Sequence, residues 1–358
     1  MRYLTMILVC CALVTCRASE RPAPTHVALP SPTDPGPPLV AASPAPTPAI
    51  RPTVQPSPAI TLIQPTPVPP TLLADVDPLL LRAGFGPATR SQQWLVARNE
   101  GATFSLLALR GQQSRAAQPT SGEPLSWSPE GALLLFTSPE APNAVWALEP
   151  TTGITTTVLT ATVGPIGGLA WLQTAIVYAA AEPDALVLLA MDERKNAQIV
   201  ARLPERRLVP GGLLSSPDRR TAALLVAGTI SPTLELYLFD NLQRQLMLVD
   251  VNEEGGATAR AVWSPQGELA YSLGAELRRY HQASGSIGSA GFSGQPYDWL
   301  GGGVLAGRAD GALVRWRDDQ VQPFDTGSGP LIASAAQAVG RNEAVLLIGQ
   351  QIWRVTVP

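Results

Sequence analysis

The sequence predicts an all-β protein, a β-propeller of four-stranded blades, and three observations lead there. A Trp-Ser-Pro-x-Gly motif and its degraded copies recur at positions 127, 171, 215, 263 and 299, spaced 44, 44, 48 and 36 residues apart. That spacing matches one propeller blade. Between the anchors lie short apolar runs broken by Gly, Pro and Asn or Asp. No long stretch with a helical period accompanies them, and the best helical candidate, residues 333–339, is short.

Taken in chain order, the first element is an export signal. Met1-Arg2 is a short basic start, and residues 4–14 are apolar. That length suits a signal peptide and falls short of a membrane-spanning helix. Leu13-Val14-Thr15-Cys16 follows. It resembles the lipobox of bacterial lipoproteins, in which branched apolar residues and a small residue precede a lipidated cysteine. The resemblance implies a lipoprotein signal peptide over residues 1–15 and Cys16 as the acylated first residue of the mature chain. Thr15 stands where Gly, Ala or Ser is favoured. A secretory signal cut near Ala18 or Ser19 and an uncleaved anchor are the alternatives. Two acyl chains hold a protein stably where one does so marginally, and a diacylglyceryl group supplies two.

The second element is a linker. Seventeen of the 36 prolines fall between residues 21 and 70. Proline lacks the amide hydrogen that ladders need and pushes its predecessor to extended conformations. Residues 16–72 are therefore expected to be disordered and to act as a spacer, reaching on the order of 150 Å at ~3.1 Å per residue. A ligand for a proline-binding partner and an O-glycosylated stalk are the other readings of this composition.

The third element is the repeat domain, residues 73–358. The clearest copies are Ser126-Trp127-Ser128-Pro129-Glu130-Gly131 and Val262-Trp263-Ser264-Pro265-Gln266-Gly267. Leu214-Ser215-Ser216-Pro217-Asp218-Arg219 is a third, Ala170-Trp171 begins a weaker fourth, and Trp299 marks a fifth. The structural anchors are thus Trp127, Pro129, Gly131, Trp171, Pro217, Trp263, Pro265, Gly267 and Trp299. Proline fixes φ in such a turn and glycine permits the positive φ of a tight hairpin. Each turn is followed by an apolar strand, as at 133–136 and 269–273. A second strand often carries an aromatic residue, as at 144–148, 234–239 and 313–316, and a short last strand follows, as at 155–159 and 245–249. The Trp-Ser-Pro-x-Gly-x-x-Leu-Ala-Tyr pattern resembles the propeller repeats of the TolB family and, more loosely, of WD-repeat proteins. That resemblance implies a propeller over most of residues 80–358.

Residues 91–98 and 103–109 begin one further unit, and 344–348 and 352–357 end another that lacks its outer strand. A segment within residues 59–82 is expected to supply that strand and join the ends of the ring. Seven blades result, or six if the first and last units are halves of one. Gly285, Gly288, Gly291 and Gly294 read as a flexible loop or a weak outer strand of the fifth unit, and 301–303 as the turn after Trp299.

Composition restricts the chemistry. The net charge of −3, from 25 Lys and Arg against 28 Asp and Glu, offers no basic field for nucleic acid. The three cysteines are Cys10, Cys11 and Cys16, so the repeat domain has no disulfide, thiol nucleophile or thiolate metal site. The two histidines, His26 and His281, do not make a zinc pair. No Gly-x-Ser-x-Gly elbow is present, and Lys195, the sole lysine, is not in a Walker loop. Acidic residues near 253, 310 and 318 sit at turns. The repeated tryptophans are expected to pack between blades, with Tyr280, Tyr297 and Trp316 outside that register and facing solvent.

The expected function is non-enzymatic. A membrane-tethered, extracytoplasmic propeller, monomeric and free of cofactors and metals, would bind a protein, peptide or cell-envelope component on one face. The alternative is a small-molecule or ion sensor, or an enzyme, that uses the central channel. The lining decides: three or more converging acidic or polar side chains at one end favour this alternative, and an apolar or closed channel favours the first reading.

Overall fold

The computed structural model describes residues 70–74, 85–88, 94–99, 103–109, 120–256, 258–324, 331–349 and 351–356. The signal peptide at 1–15, Cys16, His26 and the linker through residue 69 lie outside them. Every regular element among the described residues is a strand. Strand β1 (Thr71–Ala74) lies across the expected boundary at residue 72. The first blade comprises β2 (Trp94–Asn99), β3 (Thr103–Ala108) and β4 (Thr120–Ser121), with Phe85 bridged to Ala97 on its inner side. The second is β5 (Glu123–Trp127), β6 (Leu134–Ser138), β7 (Ala141–Leu148) and β8 (Thr155–Thr160). Blade 3 follows as β9 (Ile166–Trp171), β10 (Ile176–Ala181), β11 (Ala185–Met191) and β12 (Ala197–Pro204). Blade 4 consists of β13 (Arg206–Ser215), β14 (Thr221–Gly228), β15 (Leu234–Asp240) and β16 (Gln245–Asn252). All ladders among the described residues are antiparallel, and apart from the β1–β26 pair they join consecutive strands; in blades 2 to 5 the innermost strand is the one that ends on the Trp or Ser of the repeat.

Blades 5 and 6 share a strand. Blade 5 is β17 (Ala259–Trp263), β18 (Leu269–Leu273), β19 (Glu276–His281) and the first half of β20 (Ser286–Leu300). The second half of β20 begins blade 6, continued by β21 (Gly303–Arg308), β22 (Leu313–Arg317) and β23 (Gln320–Pro323). Residues Ser286 to Ser293 pair with β19, and Gly294 to Leu300 pair with β21, giving one seven-stranded ladder. The glycine-rich stretch is thus an outer strand that runs straight on into the next blade.

Blade 7 is β24 (Ala335–Ala338), β25 (Glu343–Ile348) and β26 (Gln351–Thr356), completed by β1. Thr71 lies opposite Arg354 and Leu72 opposite Trp353. The missing outer strand therefore comes from the segment within 59–82, as expected. Residues 333–339 are no helix: Ala335 and Ala336 are buried, and the strand pairs with β25.

Burial follows the blade junctions. Val96, Phe104 and Trp127 pack blade 1 on blade 2, and Leu135, Val145 and Tyr178 pack blade 2 on blade 3. Similar clusters join blades 3 to 4, 4 to 5, 5 to 6 and 6 to 7. A seventh, with Phe85, Leu95, Val345 and Ile352, joins blade 7 to blade 1, so the series of junctions is cyclic. Two aromatics differ from expectation. Tyr280 is buried in the junction of blades 4 and 5, and Trp316 in that of blades 5 and 6, because their strands place them on the face toward a neighbouring blade. The Arg279 guanidinium covers the Trp316 ring at 4.9 Å. Tyr297 is half-buried and lines the central channel.

Candidate functional site

The turns that end the inner strands are built on a buried serine. In Trp127-Ser128-Pro129-Glu130-Gly131, the Gly131 amide donates to the Ser128 carbonyl at 2.8 Å, and the Leu133 amide donates to Ser128 Oγ at 3.1 Å. Ser264 Oγ accepts from the Gln266 and Glu268 amides at 3.2 and 2.9 Å. Gly131 and Gly267 have φ of 71° and 89°, which glycine tolerates without penalty. In the third copy Arg219 takes this position with φ of 58° and lines the channel.

The tryptophans tie each turn to the preceding blade. Trp127 Nε1 donates to the Pro87 carbonyl at 2.9 Å, Trp263 Nε1 to the Leu214 carbonyl at 3.3 Å, and Trp299 Nε1 to the Val262 carbonyl at 3.2 Å. At the weaker copy the Trp171 backbone amide donates to Ser215 Oγ at 2.9 Å, the serine that stands in the next tryptophan's place. These four tryptophans, with Pro129, Pro217 and Pro265, line the channel, while Gly131 and Gly267 hold the turns behind them.

The channel has a volume of about 1510 Å³ and takes residues from all seven blades. Its charge is one-sided. Among the described residues Arg98, Arg219, Arg260, Arg315, Arg317 and Arg341 line it, against one carboxylate, Asp298. Arg260 projects from the middle of an inner strand whose alternate residues, Ala259 and Ala261, are buried in the blade. Its guanidinium lies over the Tyr297 ring at 5.2 Å. Burial, with the like charge of Arg98 added, holds its pKa below the ordinary arginine range, and Tyr297 and Asp298 oppose the shift. An arginine so displaced still keeps its proton at neutral pH.

Arg98 comes from the first blade. A Cβ on Gly211 of blade 4 would lie 3.9 Å from its Nη2, so the side chain reaches far across the channel. Glu123 Oε1 stands 2.6 Å from Arg98 Nη1, yet neither that oxygen nor Arg98 Nε has an aligned hydrogen bond. Burial, opposed by Arg98, raises the Glu123 pKa. Near the turns, Arg315 Nη2 donates to the Gly301 carbonyl at 2.5 Å and its Nε is buried without a partner. Burial and then the charge of Arg317 lower its pKa.

Asp298 is committed to structure. Its Oδ1 accepts from the Trp299 amide and its Oδ2 from the Ala338 amide, both at 2.8 Å, linking blade 6 to blade 7. Burial pushes its pKa up to about 6, against those two donors and Arg260. His281 meets Glu268 at 2.7 Å at a half-exposed position away from the channel. No group of three His, Cys, Asp or Glu side chains suited to a metal is found among the described residues. The turn anchors were visible in the sequence. The arginines were not, although Arg260 in an otherwise apolar inner strand is a local signal.

No protein-family model matches this chain, and no curated protein matches it. Solved structures resemble its fold. The β-propeller domain of Cps50 (Swd1) from Myceliophteria thermophila is 13% identical with a TM-score of 0.50, covering 75% of this chain and 95% of that one. Kuenenia stuttgartiensis hydrazine synthase is 12% identical with a TM-score of 0.54, covering 79% and 97%. A chain of the mitotic checkpoint complex is 13% identical with a TM-score of 0.53, covering 82% and 94%. At such identities the likeness is one of fold: the chain folds as a β-propeller.

Proposed function

We propose that this chain is a non-enzymatic binding protein, exported and tethered through lipid on Cys16, whose propeller holds a protein, peptide or cell-envelope component at its central channel. Polar side chains from separate blades converge in the channel, which by the criterion above favours a channel site over a propeller face; what carries the binding reading is the identity of those side chains. The converging groups are arginines rather than the nucleophile and base pair that group-transfer chemistry needs. Among the described residues the one lining carboxylate, Asp298, has both oxygens occupied by backbone amides. A volume above the ~300–1,000 Å³ typical of small-molecule pockets suits a segment of a larger ligand.

One experiment in intact cells tests both halves. Benzoylphenylalanine, a photo-cross-linker, replaces Gln266 at the channel turns or Met247 on the outer strand of blade 4. Adducts at 266 and none at 247 are expected, and adducts at 247 alone would assign binding to the rim instead. In the same cells Cys16→Ser is expected to move the protein from the membrane to the soluble fraction, and an unchanged distribution would remove the lipid tether.

A further inference from the structure

The geometry points to an acidic peptide segment as the ligand of the channel, its carboxylates received by Arg260, with Arg98 beside it, and by Arg219, Arg315 and Arg341 along the turns. This rests on the reading of the channel as the binding site.

The chain as a whole is slightly acidic, with 25 Lys and Arg against 28 Asp and Glu, while among the described residues the channel lining has six arginines and one carboxylate, two of the arginines, Arg98 and Arg317, pairing with Glu123 and Asp318 beside it. The imbalance is therefore local. Like charges inside one low-dielectric cavity repel, and a folded protein gains nothing from holding them there. No ion pair or hydrogen bond to the Arg260 guanidinium is found among the described residues; the Tyr297 ring lies beneath it at 5.2 Å, and the charge of Asp298, whose oxygens are held by backbone amides, acts on it from farther off. Arg98 and Arg260 come from blades 1 and 5 and are near enough for one charge to act on the other. Arg98 Nη1 already meets Glu123 at 2.6 Å and its Nη2 donates to the Pro124 carbonyl at 3.4 Å, while Arg98 Nε and Arg315 Nε are buried without an acceptor. These are donors arranged for an oxygen anion, and the planar guanidinium fork fits a carboxylate through two parallel bonds.

Distribution of the charge favours an extended ligand over a compact anion. Arg98 and Arg260 lie with Gly211 and Tyr297, apart from the turns that end the inner strands. Arg219 sits on the turn after β13, Arg315 against the turn at Gly301, and Arg341 on the turn after β24. A compact anion would meet one of these groups. A peptide with several Asp or Glu residues would meet them in succession, with the tryptophan and proline walls accommodating its backbone and apolar atoms.

The test uses the full chain in detergent with a fluorescent oligoglutamate peptide, its oligoglutamine counterpart, and pyrophosphate as competitor. Oligoglutamate is expected to bind at low salt and weaken as salt rises, with oligoglutamine silent. Arg260→Met is expected to weaken binding at least about tenfold while the thermal midpoint stays equal or rises, because a desolvated charge has been removed. Arg341→Gln on an exposed turn is expected to weaken it less without affecting folding. Binding that is indifferent to both substitutions would overturn the proposal, as would full displacement by equimolar pyrophosphate, which would assign a compact anion. Cross-linking at Gln266 separates the two readings. Adducts that persist under excess oligoglutamate overturn the acidic ligand and keep the channel as the binding site; absence of adducts removes that site itself.

Discussion

Ser264 is fully buried, and its hydroxyl satisfies two amide hydrogens, those of Gln266 and Glu268, that would otherwise have no acceptor inside the turn. A buried donor stripped of its partner costs about 1–3 kcal/mol. Ser264→Ala is therefore expected to destabilise the protein by about that amount, read as a lower urea midpoint with unchanged slope; an unchanged midpoint would show that water replaces the hydroxyl. Ser128 and Ser216 hold the same position in their turns. At this scale the sequence was readable where chemistry repeats. Proline, glycine and tryptophan recur at the blade period, so they declared the turns and the packing. Serine recurs equally, but as a common turn residue it did not announce its burial. The channel arginines lie at 98, 219, 260, 315, 317 and 341, with no common motif, and only the closing of a ring brings them together.

Strand β1 works through pairing more than through burial. Leu72 stays 42% exposed, while β1 supplies backbone partners to β26. Without it β26 is an open edge in the last blade, a template for association with other chains. Removing residues 1–69 is expected to leave the urea midpoint unchanged, whereas removing residues 1–74 is expected to cost about 2–4 kcal/mol, a few net backbone hydrogen bonds, and to promote aggregation. Equal midpoints for the two truncations would show that β1 does not hold the ring. Its role was legible because the last unit ran out of chain one strand early. The course of β20 was legible in part: the spaced glycines read as a loop or a weak outer strand of the fifth unit, and the outer strand is found, but its continuity into blade 6 depends on β19 and β21 offering ladders to successive halves of one strand. Trp316 and Tyr280 were misread for a related reason. Burial in a propeller depends on which neighbour a strand's face meets, and the repeat register of the tryptophans does not report it.

Across the whole molecule the ionisable groups pull stability in opposite directions. Glu235, Asp218 and Glu276 have lowered pKa values, chiefly through hydrogen bonds and arginine charges that outweigh burial, so they add stability that is lost as pH falls. Asp298 acts the other way. Its pKa is raised from 3.8 to about 6, so between those values the folded state holds a proton that the unfolded chain has released. Stability from this group is present at low pH and declines as pH rises from about 4 to about 6. The wild type minus Asp298→Asn difference in unfolding free energy is expected to fall across that window, and a flat difference would mean that Asp298 titrates normally. The propeller itself followed from the period of the sequence, since blade architecture is a repeated local pattern. The cationic channel belongs to the assembled ring and has no counterpart in any single blade. The ring is also not uniform around its circumference. At the shared strand β20, blades 5 and 6 are joined through the backbone, whereas blades 7 and 1 meet through side chains, with the four residues of β1 closing blade 7 alongside. Thermal opening thus has a preferred starting point, and a ligand seated between blade 1 and blade 5 would brace the ring across the arc that contains it.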